Sequence, residues 1–346
     1  MPFSGNSNLV RDVVKQLASK LPPGWRITST TRRLRGRPVD VVLRIRGPAS
    51  NSASILVEAK HRLEPRDLDQ VTAAVRDLPL LVVAPFLSAS ARDRLKTLGL
   101  NYADLTGNIR LGISKPGLYV ETRGADKNPE PTVRDRRSLK GAKAGRLIRA
   151  LCDFRPPFGL RELAKRAVVD AGYASRIVDY LDREALVGRK PRGPITSTDW
   201  TGLLRRWSQE YSPFQRGRTR WYLAARGIAQ LADKLQTLSA RYVVSGSLAA
   251  AHFAPVAPTR LLLCYTDDIP NLAQALDLRP ADAGSNVALV TPFDPVVYER
   301  TSQRKGTTVA APSQIAADLL TSPGRGPNEA EALMEWMREN EHAWRT

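Results

Sequence analysis

Asp40, Glu58 and Lys60 are the residues whose types and spacing most directly suggest chemistry. Residues 39–43 read Val-Asp-Val-Val-Leu and residues 55–60 read Ile-Leu-Val-Glu-Ala-Lys. Both are β-branched runs, separated by the turn-forming stretch 47–52. Side chains alternate along a strand, so Glu58 and Lys60 share one face while Val57 and Ala59 take the other. If the two strands pair as a hairpin, Asp40 returns beside Glu58 and Lys60. Two carboxylates converging at the end of a sheet suit Mg²⁺, which prefers hard oxygen ligands and keeps several of its waters. A lysine beside them can position or deprotonate an attacking water, or steady charge growing on a phosphate.

This Asp…Glu-x-Lys arrangement resembles the PD-(D/E)xK nuclease superfamily, over roughly residues 5–120. The resemblance implies Asp40 and Glu58 as metal ligands, Lys60 as a catalytic group and Gln70 on the following helix as a fourth polar residue. It implies Mg²⁺ as cofactor only if the site is active, because fold and activity are separate claims. The plainer reading is a solvated strand end with Glu58 and Lys60 as a surface ion pair.

Positioning these groups needs an α/β domain. Valines and leucines at helical spacing predict a helix over 8–21, halted by Pro22-Pro23-Gly24. A helix is expected over 65–78, a strand buried on both faces over 80–85, and a helix over 88–98. Residues 101–108 read Asn-Tyr-Ala-Asp-Leu-Thr-Gly-Asn. The physical reading is a tight turn in which Gly107 takes positive φ and Asp104 or Asn108 bonds the backbone; the alternative gives Asp104 a role near the nuclease-like site. The run resembles a signature of AbiEi-type transcriptional regulators, the antitoxins of type IV toxin–antitoxin systems. That likeness implies autoregulation of an operon and a cognate toxin as partner.

The chain has 346 residues, enough for two or three domains, and a formal net charge of +19. Such an excess favours polyanions, above all nucleic acid. Hydrophobic content of 42% excludes wholesale disorder. Two cysteines in apolar surroundings suit a reducing compartment, and with three histidines no zinc cluster is expected. Neither a signal peptide nor an apolar run of membrane-spanning length is visible, so a cytoplasmic protein with no membrane partner is expected.

Residues 122–143 read as a mobile basic linker carrying Arg134, Arg136, Arg137, Lys140 and Lys143, suited to tracking phosphates. Beyond it, helices are expected over 144–154, 160–167 and 172–185, followed by two short strands around the basic tip 189–192. This order resembles the winged helix–turn–helix, whose second paired helix lies in the major groove of double-stranded DNA. Tyr173, Ser175, Arg176 and Asp179 fall on the start and outer face of that helix, with Arg176 best suited to guanine. Arg189, Lys190 and Arg192 on the wing suit phosphate or minor-groove contact. The competing use of such a module is protein contact.

Residues 200–221 carry Leu203, Leu204, Trp207 and Tyr211 at helical spacing, interleaved with arginines. Docking of the second domain on the third is the simpler use of these aromatics. A helix is expected over 222–238. Then a strand over 242–244 runs into Ser245-Gly246-Ser247, which resembles nucleotidyltransferase-like folds. Those enzymes need an Asp-x-Asp pair on the next strand, but 260–265 reads Arg-Leu-Leu-Leu-Cys-Tyr and Asp267 and Asp268 follow it. A degenerate, structural domain is therefore expected. Residues 311–332 again resemble the AbiEi-type regulators.

The fold expected is thus α/β plus α: a PD-(D/E)xK-like mixed sheet in 1–121, a linker in 122–143, a winged helix in 144–199, and a nucleotidyltransferase-like α/β domain in 200–346. The leading function is a DNA-binding regulator, with a homodimer left open. The alternatives are a Mg²⁺-dependent DNA endonuclease targeted by the winged helix, and a structural partner-binding protein.

Overall fold

The computed structural model describes residues 3–30, 33–34, 37–38, 41–48, 51–61, 63–68, 78–126, 128–130, 138–190, 193–214, 218–238 and 240–346. It is a mixed α/β structure that divides into two compact units, one within 1–136 together with 183–185, the other comprising the rest of 137–346. Among the described residues each unit is built on a seven-stranded sheet.

In the first unit the helix α1 (Phe3–Ala18) precedes β1 (Arg26–Thr30), the short pair β2 (Arg33–Leu34) and β3 (Arg37–Pro38), then β4 (Val41–Arg46) and β5 (Ser52–Ala59). After these come β6 (Leu80–Ala84), α2 (Ala89–Thr97), β7 (Asn101–Asp104), β8 (Ile109–Ile113) and β9 (Leu118–Thr122). The sheet order is β1-β4-β5-β6-β7-β8-β9, parallel from β5 through β7 and antiparallel elsewhere. The hairpin pairs Val41 with Val57 and Arg46 with Ser52, so its strands sit a few residues away from the expected 39–43 and 55–60. Of the helix expected over 65–78, one turn at Pro65–Asp67 is present, and 69–77 lie outside the described residues.

Every residue of β6 is buried. Leu81 and Val83 join α1's Leu9, Val10, Val13 and Leu17 in one core. Leu80, Val82 and Ala84 join Leu68, Leu87, Ala91 and Leu95 in the other. A strand covered on both faces has no reason to alternate polar and apolar residues, which is why it reads as a continuous apolar run.

The polar turn after β7 is organised by Asp104, which is fully buried. One carboxylate oxygen accepts from the Thr106 and Asn108 amides and the Thr106 hydroxyl, at 2.7–3.0 Å. The other accepts from the Leu87 amide at 3.0 Å and the Asn108 side chain at 2.8 Å. Asn108 in turn holds the Gly124 amide at 2.9 Å. A Cβ on Gly124 would lie 2.2 Å from the Thr106 carbonyl oxygen, so only glycine fits there.

The second unit opens with α3 (Ala142–Asp153), α4 (Leu160–Arg166) and α5 (Ala171–Arg183), then the antiparallel ribbon β10 (Val187–Arg189) and β11 (Ile195–Thr198), and α6 (Trp200–Ser208). The sheet portion follows: β12 (Thr219–Leu223), α7 (Ile228–Gln236), β13 (Tyr242–Ser245), α8 (Gly246–Ala250), β14 (Leu262–Thr266), α9 (Ile269–Ala275), β15 (Arg279–Pro280) and β16 (Val287–Val290). It closes with β17 (Ser302–Arg304), β18 (Thr307–Val309), α10 (Pro312–Leu320), α11 (Gly326–Glu339) and α12 (Glu341–Trp344). The sheet order is β15-β12-β16-β14-β13-β18-β17.

The expected helix over 222–238 is corrected. Thr219, Trp221 and Tyr222 form a strand, and the helix starts only after Gly227, whose φ is +84°. Threonine and aromatics suit a pleated, half-buried surface better than a helix. One hydrophobic core runs from Leu139 through Trp207 to Trp344, so the helical module and the second sheet share it. Leu139 is fully buried, and Glu210 accepts from its amide at 3.2 Å and from the Ser138 hydroxyl at 2.6 Å. The end of the stretch expected to be a mobile linker is therefore pinned to the C-terminal end of α6.

At the centre of this core lies a buried cation. Arg149 is 1% exposed; its Nε and Nη2 bond Asp153, and its remaining N–H groups reach the Val296 and Glu299 carbonyls and the Gln314 side chain at 3.0–3.4 Å. Ser313 donates to Asp153. Both cysteines, Cys152 and Cys264, are buried free thiols; burial pushes Cys264 up to about 12 and raises Cys152 as well.

Replacing Asp104 by Ala is expected to cost roughly 3 kcal/mol or more, since it strands several buried donors at once. Asp104→Asn is also expected to destabilise, because its amide would face donors on whichever side it turns. Chemical unfolding of each variant measures this.

Candidate nucleic-acid interface

The helical module presents α5 on a capped and fixed turn. Helix α4 ends in a left-handed cap: the Val168 amide bonds the Lys165 carbonyl and the Val169 amide reaches back to Ala164, at 3.2 and 3.0 Å. Val168 occupies the position that usually takes glycine, with φ +50° and 65% exposure. Asp170 then caps α5 by accepting from the Tyr173 amide at 2.6 Å, and that bond holds its carboxyl below the usual range. The Lys143 ammonium, 3.4 Å away, adds to the effect.

The buried residues of α5 are Ala174, Ile177, Val178, Tyr180 and Leu181. Their period leaves Gly172, Arg176 and Asp179 exposed, with Tyr173 and Ser175 intermediate. Partial burial raises the Tyr173 phenol. The Arg176 guanidinium lies over the first turn, 3.5 Å from where a Cβ on Gly172 would sit.

The ribbon brings Arg189 against Asp179 of α5 in an ion pair. Arg189, expected to track phosphate, is therefore engaged within the chain and braces the ribbon on the helix. Lys190 is exposed at the tip, where the Gly193 amide closes a turn on its carbonyl at 2.9 Å, and Lys140 is exposed before α3. Arg134, Arg136, Arg137 and Arg192 lie outside the described residues.

In the first unit the Lys60 ammonium sits 2.7 Å from the Glu58 carboxylate, with the two side chains 42% and 32% exposed. The period-two expectation that they share a face fits this pair. Asp40 and Gln70 lie outside the described residues. Among the described residues no cluster of three His, Cys, Asp or Glu could hold a metal.

The Ser245-Gly246-Ser247 turn is occupied internally. Ser247 donates to the buried Glu329 and Ser245 to Asp318 at 2.5 Å. Asp318 also accepts from the Tyr211, Tyr265 and Gln314 side chains at 2.6–3.0 Å. Burial pushes its carboxyl up to about 6 despite these donors, and lifts both tyrosines well above their ordinary value. A cavity of about 380 Å³ adjoins the turn, lined among others by Arg260, Leu263, Arg325 and Glu329. The adjacent strand β14 contributes Leu262, Leu263, Cys264, Tyr265 and Thr266, all buried, and no carboxylate. Asp268 caps α9, and Asp267 pairs with Arg241 at 3.4 Å.

Residues 198–338 match the family model described as transcriptional regulator, AbiEi antitoxin, Type IV TA system. The matched stretch begins at the end of the ribbon and covers α6 and the second sheet, and it omits α3 to α5. No curated protein matches the chain. A solved structure described as EndoMS in apo form aligns at 17% identity and a TM-score of 0.19, over 29% of this chain and 45% of that one. The chain thus spans less than half of that protein, and a likeness this weak carries no argument. No helix among the described residues is long and apolar enough to cross a membrane.

Asp170 and Asp318 were passed over in the sequence. Asp170 left a signal, an aspartate immediately before a helix. Asp318 is a lone acid on an apolar helix, and nothing in its own neighbourhood names Tyr211 or Tyr265 as partners.

Because the folded Asp318 carboxyl keeps its proton up to about pH 6 whereas an unfolded aspartate releases it near about 4, the folded chain binds the extra proton between those values. Its contribution to stability therefore falls as pH rises through that window and is level above it. Asp318→Asn removes this slope. Urea unfolding of parent and variant from pH 4 to 7 should show their difference changing below pH 6 and constant above.

Proposed function

We propose that this chain is a DNA-binding transcriptional regulator that reads duplex DNA through a winged helix–turn–helix formed by α3, α4, α5 and the β10–β11 ribbon. The observation that carries the reading is the outward face of α5, with Arg176 exposed beside a ribbon whose tip exposes Lys190. The surplus of positive charge and the match of 198–338 to a regulator and antitoxin family support it. In this reading 1–121 is a PD-(D/E)xK-like domain and the C-terminal portion a nucleotidyltransferase-like domain retained as scaffold. A cognate toxin is then a partner, and the Ser247–Glu329 bond leaves that hydroxyl without a catalytic task.

Selection of duplexes from a randomised library, followed by fluorescence anisotropy, tests the reading. Arg176→Ala should cost about 1–3 kcal/mol on the selected site and relax choice at one position. Lys190→Ala should weaken all sequences alike and lower the salt slope by about one. Unchanged binding in both variants removes α5 and the ribbon as the interface.

A second reading, a Mg²⁺-dependent DNA endonuclease, is favoured by Glu58 and Lys60 standing together, partly exposed, at the end of β5. Supercoiled plasmid with Mg²⁺ or Mn²⁺ decides it. Nicking by the parent that disappears in both Asp40→Asn and Glu58→Gln supports an enzyme; no nicking by the parent discards it.

A further inference from the structure

Arg146 of α3 performs a task that neither its exposure nor its charge discloses. Its Nε and Nη2 form a two-pronged pair with the Asp294 carboxylate, each at 2.8 Å, and its Nη1 donates to the Val168 carbonyl at 3.2 Å. Asp294 is 5% exposed and is itself fixed, since one of its oxygens also accepts from the Val296 amide at 3.0 Å. The guanidinium is therefore held in one plane by an anchor from the loop after β16, and its free edge grips the turn between α4 and α5. Val168 is the strained residue of that turn, a β-branched side chain at positive φ. Three residues earlier on α3, Lys143 reaches the cap of α5 through Asp170. One helix thus holds the turn at two points, and the stronger hold is backed by the second sheet.

We propose that Arg146 is a positioning residue for DNA recognition: backed by Asp294, it fixes the turn from which α5 springs and so sets where Arg176 meets a base. The inference rests on the winged-helix reading above. A planar five-donor fork can serve a carboxylate and a carbonyl together; an ammonium cannot span both. Phosphate contacts set affinity for any DNA, whereas the placement of α5 sets the difference between the right sequence and the wrong one.

The test compares the parent with Arg146→Lys and Asp294→Asn, each confirmed folded by circular dichroism. Asp294→Asn keeps the shape of a buried side chain and serves as the probe if Arg146→Lys fails to fold. Each protein is titrated with the parent's selected duplex and with a scrambled duplex over a range of salt. The ratio of the two affinities should fall roughly ten-fold in both variants, the order expected when a supporting contact is loosened. Scrambled-duplex binding and the salt slope should stay as in the parent, and amide exchange at Val169 and Tyr173 should quicken. An unchanged ratio overturns the proposal. A loss shared equally by both duplexes, with a shallower salt slope, also overturns it by making Arg146 a phosphate contact. If the parent itself selects no sequence, the winged-helix reading fails first and the proposal with it.

Discussion

A guanidinium cannot be buried cheaply. Removing Arg149 from water is tolerated only because Asp153, Gln314 and two backbone carbonyls surround it, and those partners come from α3, from α10 and from the stretch 296–299. None of these elements can reach its place without the others arriving too, since a half-formed arrangement leaves an ion uncompensated in an apolar core. Gln314 carries the network on to Tyr211 and Asp318, and Asp318 to Ser245 at the end of β13. The helical module and the second sheet are therefore bound into one folding unit by polar demands as much as by their shared apolar core.

The same logic divides the basic residues of the chain into two classes. Arg146, Arg149, Arg189 and Arg206 are committed internally, to Asp294, Asp153, Asp179 and Glu210. Arg176, Lys140 and Lys190 stand exposed. Net charge read from composition counts both classes alike, so it overstates what is available to a polyanion. What the committed arginines contribute is fixed geometry, each tying its own element to a carboxylate of this chain.

How much of this was legible in the sequence depended on distance along the chain. The doubly covered strand β6 was readable because its continuous apolar run is a local property, and so were α3 to α5, whose buried residues recur at three- and four-residue spacing. The shared face of Glu58 and Lys60 followed from the two-residue period of a strand. Tyr222, expected to open a helix, lies in a strand instead, because an aromatic residue serves a helix face and a half-covered strand equally well; the pairing with β16 decides, and that partner lies more than sixty residues away. The Arg149 network was illegible for the same reason. Gln314 is 165 positions from Arg149 and Ser313 is 160 from Asp153, so composition shows a polar residue without showing what will satisfy it.

The two thiols carry a practical consequence. Cys152 and Cys264 are the whole cysteine complement of the chain, both lie in its interior, and burial leaves almost no thiolate at neutral pH. Alkylating reagents attack the thiolate and need access to it. A cysteine introduced at an outward position, such as the exposed Tyr119 on β9, would therefore be the one sulfur such a reagent meets. The chain already behaves as a cysteine-free background, so dyes or spin labels can be attached singly without first removing either native residue and disturbing the core it fills.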